Sequence, residues 1–305
     1  MAQINYHIVD VFTSRKYGGN QLAVFIDYED IISEKNMLEI ARELNFSEVT
    51  FVKKNIENSE FEVRIFTPEY EVPFAGHPTL GTAFVISKYL IPEPKDQVTI
   101  RLKHSEINVT ISSTKDVDSS FFVMQQAAPE FISGFDHQEV EKGLGLEVNT
   151  LDKNKPIEEI STGLPYLILP VVSLKKLNQI RLNVKKVIDF LIRHNKYKTN
   201  SPNGLTTSLF LVTEETCEKQ SHFNARMFCI EQERLVEDAA TGSANGCFLA
   251  YLLKNGSANI SAIVEQGFQI NRKSYIHLYG KREENKYTLK IGGQVVDVSR
   301  GVWNI

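Results

Sequence analysis

The stretch His77-Pro78-Thr79-Leu80-Gly81-Thr82-Ala83 has an echo downstream in Asp238-Ala239-Ala240-Thr241-Gly242-Ser243-Ala244. Each opens an apolar run. The first continues through Phe84, Val85, Ile86 and Leu90, the second through Cys247, Phe248, Leu249, Tyr251 and Leu252. A helix without a polar face is buried on every side. Two such helices predict two sheets, each wrapped around one of them. The pairing keeps a spacing of 161 residues (77 to 238) at His77, Gly81, Thr82 and Ala83. A second echo, Val63-Arg64-Ile65-Phe66 against Ala225-Arg226-Met227-Phe228, runs in the same order just upstream. Together they predict a duplicated domain with a ligand cleft between the halves.

Short segments rich in β-branched and aromatic residues surround these runs. Glu48–Lys54, Phe61–Thr67, Gln97–Lys103, Glu106–Ser112, Ser120–Gln126, Ser208–Thr213, Phe223–Cys229, Ser274–Gly280 and Tyr287–Ile291 read as strands. Short links between several of them favour antiparallel sheet over repeated βαβ units, an α+β arrangement. Ser33–Asn45 reads as a helix with Met37, Leu38, Ala41 and Leu44 on one face and Ser33 as N-cap. Leu174–Lys196 holds another helical stretch, with Val187, Phe190 and Leu191 near one face. The polar segment His194–Asn203 reads as a surface loop.

At 305 residues the chain is comfortable for two domains. With 42% hydrophobic and 24% charged residues it has the composition of a globular protein. A formal net charge of -4 provides no basic footprint, so neither nucleic acid nor a membrane surface is an expected partner. The opening MAQINYHIVD lacks the pattern of a signal peptide. The apolar run Tyr166–Leu169 stops at Pro170, far short of a membrane span. Cys217, Cys229 and Cys247 make no disulfide framework, and a reducing, cytoplasmic compartment is expected. No CxxC or HExxH occurs, Gly18-Gly19-Asn20 lacks the GxGxxG spacing, and no GxxxxGK[ST] is present. Neither a metal nor a nucleotide cofactor is expected.

The chemistry concentrates at the two helix beginnings. His77 precedes Pro78, a favoured first helical residue, and Asp238 is a good N-cap. Small residues follow each, so a ligand can approach exposed backbone N–H groups and the positive end of the helix dipole. Such ends suit a carboxylate and a developing enolate. The alternative is that Asp238 is only a cap and His77 only a loop residue. Glu48 opens an apolar strand, where partial burial would raise its pKa toward that of a general base. The alternative there is a solvated strand-edge glutamate. Glu71 and Glu237 are further carboxylates nearby, with Glu237 facing away from its neighbour Asp238. Ser243 has small flanks but no GxSxG frame. Cys229 and Cys247 read as core packing.

Several segments together carry a family resemblance: Asp10-Val-Phe-Thr13, Gly19-Asn20-Gln-Leu-Ala-Val24, Ser47-Glu48-Val-Thr-Phe51, Pro73-Phe-Ala-Gly-His-Pro-Thr-Leu-Gly-Thr82, Ser161-Thr-Gly-Leu-Pro165, Glu237-Asp-Ala-Ala-Thr-Gly-Ser-Ala244, Val264-Glu-Gln-Gly267 and Gly292-Gly-Gln-Val with Gly301-Val-Trp303. In this order, over nearly the whole chain, they resemble the PhzF-like (phenazine biosynthesis) family. The resemblance implies the diaminopimelate-epimerase-like fold: two pseudo-symmetric domains, each a curled, mostly antiparallel sheet around a central helix, with the site between them. Residues 1–127, completed by 298–305, would form one domain and 128–297 the other. It further implies a cofactor-independent isomerase that shifts a proton on a dihydro-hydroxyanthranilate-like carboxylate, and a homodimer. Glu48 matches the acid/base glutamate, and His77, Asp238 and Ser243 match the site histidine, aspartate and serine. Gly76 and Gly242 would shape the backbone pockets for the substrate, with Asn20 and Thr241 as further substrate contacts.

Two departures stand out. Related amino-acid epimerases carry a cysteine at each central-helix start, where this chain is expected to place His77 and Asp238, so two-thiol racemisation is not expected. Ala239 replaces the family's usual proline, and Cys229-Ile-Glu-Gln-Glu-Arg-Leu235 departs from its Pro/Gly-containing loop. These bear on substrate more than on fold. An epimerase without thiols and a non-catalytic binding protein are the other readings.

Overall fold

Strand pairing in the protein, a computed structural model that describes residues 2–57, 60–93, 95–199 and 204–305, follows the alternation of apolar residues along the chain. The first half runs β1 (Gln3–Val11), β2 (Asn20–Ile26), α1 (Glu34–Leu44), β3 (Glu48–Glu57), β4 (Glu60–Phe66), β5 (Glu71–Val72), α2 (Gly76–Val85), β6 (Gln97–Leu102), β7 (Ser105–Ile111) and β8 (Phe121–Gln125). Next come β9 (Glu130–Phe135), α3 (His137–Leu144), β10 (Ile157–Ser161), β11 (Pro165–Pro170), α4 (Leu174–Gln179) and α5 (Val184–Arg193). The chain ends with β12 (Ser208–Thr213), β13 (Phe223–Glu231), β14 (Arg234–Asp238), α6 (Gly242–Asn255), β15 (Asn259–Gln266), β16 (Ser274–Glu283) and β17 (Lys286–Asn304). Contacts divide it into a first unit, up to Gln125 together with Ile291–Ile305, and a second unit, Gln126–Lys290.

In the first unit the strands close a ring: β1 pairs with β2, then β3, β4, β6, β7 and β8 follow, and β17 joins β8 back to β1. The pairs β2–β3 and β4–β6 are parallel, and their crossovers carry α1 and α2. Every residue of α2 is buried, and the helix touches β1, β2, β3, β6, β7 and β8. Outside the ring, Met37, Ile40 and Ala41 of α1 pack on Phe25, Phe51 and Phe66. Burying each such phenylalanine contributes about 1.5–3 kcal/mol relative to exposure.

The second unit repeats this plan. Its order is β9–β10–β11–β12–β13–β15–β16, with β11–β12 and β13–β15 parallel. The first of these crossovers carries α4 and α5 and the second carries α6. All of α6 from Gly242 to Tyr251 is buried. Val187, Phe190 and Leu191 of α5 pack with Leu167, Leu169, Leu209 and Leu211. Each unit is therefore mostly antiparallel but contains two helix-bridged parallel pairs, which short-link reasoning does not predict.

The structure shifts the register of the repeat. The central helices begin at Gly76 and Gly242, a spacing of 166 (76 to 242) rather than 161. His77 therefore corresponds to Ser243, and Asp238 corresponds to Val72, since Ile65 pairs with Val72 as Met227 pairs with Asp238. Four residues (67–70) separate Phe66 from Glu71, whereas eight (229–236) separate Phe228 from Glu237, and the longer hairpin displaces everything after it.

Other boundaries differ too. His77 and Pro78 are the second and third residues of α2, whose N-cap is Ala75. Asp238 ends β14 and is not the N-cap of α6, a position that Thr241 holds. α2 passes into a π-helical turn, Ile86–Leu90. The stretch 174–196 breaks between α4 and α5. Ser33 does cap α1, accepting from the Asn36 N–H. Of the predicted loop, 194–199 is irregular, and 200–203 lies outside the described residues. No helix among the described residues is long and apolar enough to cross a membrane.

Candidate active site

In the first unit, Asn45 in the left-handed conformation ends α1, and three residues later Glu48 opens β3 opposite Leu22 of β2. Its side chain is 19% exposed and its Oε2 lies 3.6 Å from His77 Nε2. Asn20 opens β2, with its Nδ2 3.3 Å from His77 Nδ1. The turn before it requires glycine: Gly19 has φ 64°, and a Cβ there would lie 2.2 Å from the Val11 carbonyl oxygen. Burial drives the His77 pKa down to about 3, against a backbone hydrogen bond at Gln21. The imidazole is neutral near neutral pH, so it can offer hydrogen bonds but no charge. The structure thus brings Glu48, His77, Asn20 and Gly76 together.

The second unit gathers Asp238, Thr241, Gly242 and Ser243. Thr241 Oγ1 donates to Asp238 Oδ2 instead of capping α6. Neither central helix has a side-chain cap, so cap side chains leave the first-turn N–H groups of α2 and α6 open to an anion. Ser243, almost buried, has its Oγ 2.6 Å from the hydroxyl of Tyr166 on β11. Burial pushes the Tyr166 pKa well up, so the phenol stays protonated. Gln266 at the end of β15 is fully buried and bonds both Asp238 and Thr241. Gly267, at φ 75°, follows it where a Cβ would lie 2.5 Å from the Ala239 carbonyl oxygen.

Glu71 and Glu237 are committed elsewhere. Arg64 donates through Nε and Nη2 to Glu71, and Arg226 in the same way to Glu237. Among the cysteines, Cys247 is fully buried with its thiol pushed up to about 12, while Cys229 is only half-buried, on the β13–β14 hairpin rather than in the core.

Tyr166 and Gln266 are the site neighbours that sequence reasoning leaves unassigned. Tyr166 heads an apolar run, and its partner lies 77 residues away. Gln266 sits in the quoted Val264–Gly267 segment, where a polar residue before a glycine in an apolar strand is the available signal.

The family model described as "Phenazine biosynthesis-like protein" matches residues 9–301. Trans-2,3-dihydro-3-hydroxyanthranilate isomerase of Pseudomonas aeruginosa is 30% identical over 280 residues, 91% of this chain and 90% of that one. The crystal structure of the Bacillus anthracis phenazine biosynthesis protein of the PhzF family is similar at a TM-score of 0.86 and 28% identity, covering 100% of both chains. A hydroxyproline epimerase from Agrobacterium vitis shares the fold at a TM-score of 0.62 and 9% identity, covering 98% of this chain and 92% of that one.

Proposed function

The chain belongs to the phenazine biosynthesis-like family and is an isomerase, and from this we propose that it shifts a proton on a small carboxylate without a cofactor. Glu48 removes a proton next to an unsaturated or carboxyl-activated carbon and returns it to another carbon. Neutral His77 hydrogen-bonds the reacting region, Asp238 orients the substrate, and Ser243 with the first N–H groups of α6 holds the carboxylate. The observation that carries this reading is the partly buried Glu48 beside His77, in a chain similar to a named dihydro-hydroxyanthranilate isomerase. The first-turn positions of the central helices hold His77 and Ser243, not a pair of thiols, which favours a carboxylate base over two-thiol racemisation.

The test is proton NMR in D₂O with trans-2,3-dihydro-3-hydroxyanthranilate and a panel of cyclic and linear amino- and hydroxycarboxylates. Wild type should incorporate deuterium at a carbon other than the one deprotonated. Glu48→Gln should lose about 10²–10⁴-fold in rate, the scale of general acid–base help, with an unchanged circular dichroism spectrum. Equal exchange by the variant would remove Glu48 from the reaction. Inversion at a single carbon would make the enzyme an epimerase.

A further inference from the structure

Two backbone groups set the direction of a buried hydrogen-bond chain behind Asp238. The Thr241 N–H can only donate, and it meets one end of the Gln266 side-chain amide at 3.2 Å, so that end is the oxygen. The Asn245 side-chain amide donates to the same oxygen at 3.1 Å. The Asp238 carbonyl can only accept, and it meets the other end at 3.0 Å, so that end is the NH₂ group. This NH₂ also lies 3.0 Å from Thr241 Oγ1 and donates to it. The threonine hydroxyl keeps one hydrogen of its own, and its partner is Asp238 Oδ2. Every link follows from the two backbone groups.

We infer that Gln266 is a positioning residue, which sets the direction of the Thr241 hydroxyl so that it donates to Asp238 and keeps that carboxylate anionic and fixed in place. A hydrogen bond donated to the charged form of an acid favours that form. Gln266 is 0% exposed and Thr241 8%, so water does not replace either donor at low cost. The ionisable groups on the elements around Asp238 include Tyr166 on β11, Arg226, Cys229 and Glu231 on β13, Arg234 and Glu237 on β14, Cys247 on α6, Glu265 on β15 and, just beyond it, Arg272, whose carbonyl shares the Ser274 hydroxyl with that of Ala239. Arg226 is committed to Glu237, and burial keeps Tyr166 and Cys247 protonated. Thr241 donates to Asp238 Oδ2 whatever else the carboxylate meets, and the loss of this donor is what the Asp238 midpoint should register. The use of Asp238 by the enzyme rests on the proposed function; the relay itself does not.

The experiment is a pH titration by carbon-13 NMR of protein labelled at aspartate Cγ, with Asp238 identified by the signal missing in Asp238→Asn. Thr241→Val should raise the Asp238 midpoint by about one to two pH units, the equivalent of a hydrogen bond to a charged group. Thr241→Ser should keep the wild-type midpoint. Gln266→Met should raise it like Thr241→Val, and the double variant should rise no further. An unchanged midpoint in Thr241→Val, or additive shifts in the double variant, overturns the inference. Should Gln266→Met not fold, Gln266→Glu keeps the shape and reverses the hydroxyl. Its shift should then be larger with Thr241 present than in Thr241→Val, and equal shifts overturn the relay. Separately, a wild-type kcat in Asp238→Asn would remove Asp238 from the proposed reaction and leave the relay standing.

Discussion

The passages leading into the two central helices share a plan and differ in how deeply it is buried. In each, an arginine grips a glutamate of the neighbouring strand through two parallel hydrogen bonds and lies over a phenylalanine two residues on: Arg64 with Glu71 and Phe66, Arg226 with Glu237 and Phe228. Side-chain exposures are 25% and 18% in the first pair but 6% and 12% in the second. Arg64 spends its remaining reach on the exposed Glu34, whereas Arg226 donates to the carbonyls of Leu177 and Ile180 at the end of α4. The same device is thus a surface brace in the first unit and an internal tie in the second. The clamped strand then delivers Val72 in one case and Asp238 in the other, so only the deeper clamp is followed by a chemical group.

Arg226→Ala should show the largest effect, about 3–5 kcal/mol of lost stability in urea denaturation, because it leaves Glu237 and two carbonyls without their partner. Arg64→Ala should cost well under half of that. Equal losses would break the distinction between brace and tie. Next comes Gly81→Ala, where a Cβ would lie 2.6 Å from Leu22 Cδ2 and 2.9 Å from Val11 Cγ2, inside the ring. Overpacking of this kind should cost about 1–3 kcal/mol. At Gly246 the obstacle is the flexible Gln126 side chain at 3.0 Å, so Gly246→Ala should be near neutral or stabilising by the same denaturation assay.

A third contrast is pH. His77 and Ser243 occupy corresponding positions, and only the histidine titrates. Its pKa is held at about 3 when folded, against an ordinary 6.5. Between those values the unfolded chain binds a proton that the folded chain excludes. Stability is therefore fully present above the higher value and falls by about 1.4 kcal/mol per pH unit below it. Denaturation of wild type and His77→Asn between pH 7 and pH 5 should show a shallower loss in the variant; parallel losses would mean the imidazole is not kept neutral. A modest effect is expected at the hairpin tips. Gln232 and Glu233 have φ of 47° and 59°, the turn that favours Asn-Gly. That replacement should stabilise by about 1 kcal/mol, measured as a shift of the thermal midpoint. None of residues 67–70 has positive φ, and glycine there should not stabilise.

Much of the fold was legible because it is written locally. Alternating β-branched residues marked β3, β4, β6, β7 and β12, and the all-apolar runs marked α2 and α6. The repeat was legible as well, but in the wrong register. Gly-Thr-Ala and Gly-Ser-Ala look alike, yet Gly81 lies mid-helix in α2 while Gly242 begins α6. What separates them is the longer β13–β14 hairpin, and a constant offset cannot accommodate an insertion. In the candidate site, Glu48 and His77 stand out in the sequence, and the structure places them side by side. Tyr166 and Gln266 could not, because their partners come from other strands and helices and leave no local pattern.

The ring of the first unit closes where Gln3 pairs with Asn304. A ribosome releases β1 well before β17, with the second unit made in between. Until then β1 and β8 are open sheet edges, able to pair with other chains. The second unit can complete its folding while the first waits for its final strand, and contacts so distant in sequence make closure slow. The seam therefore makes the nascent first unit the vulnerable one during synthesis.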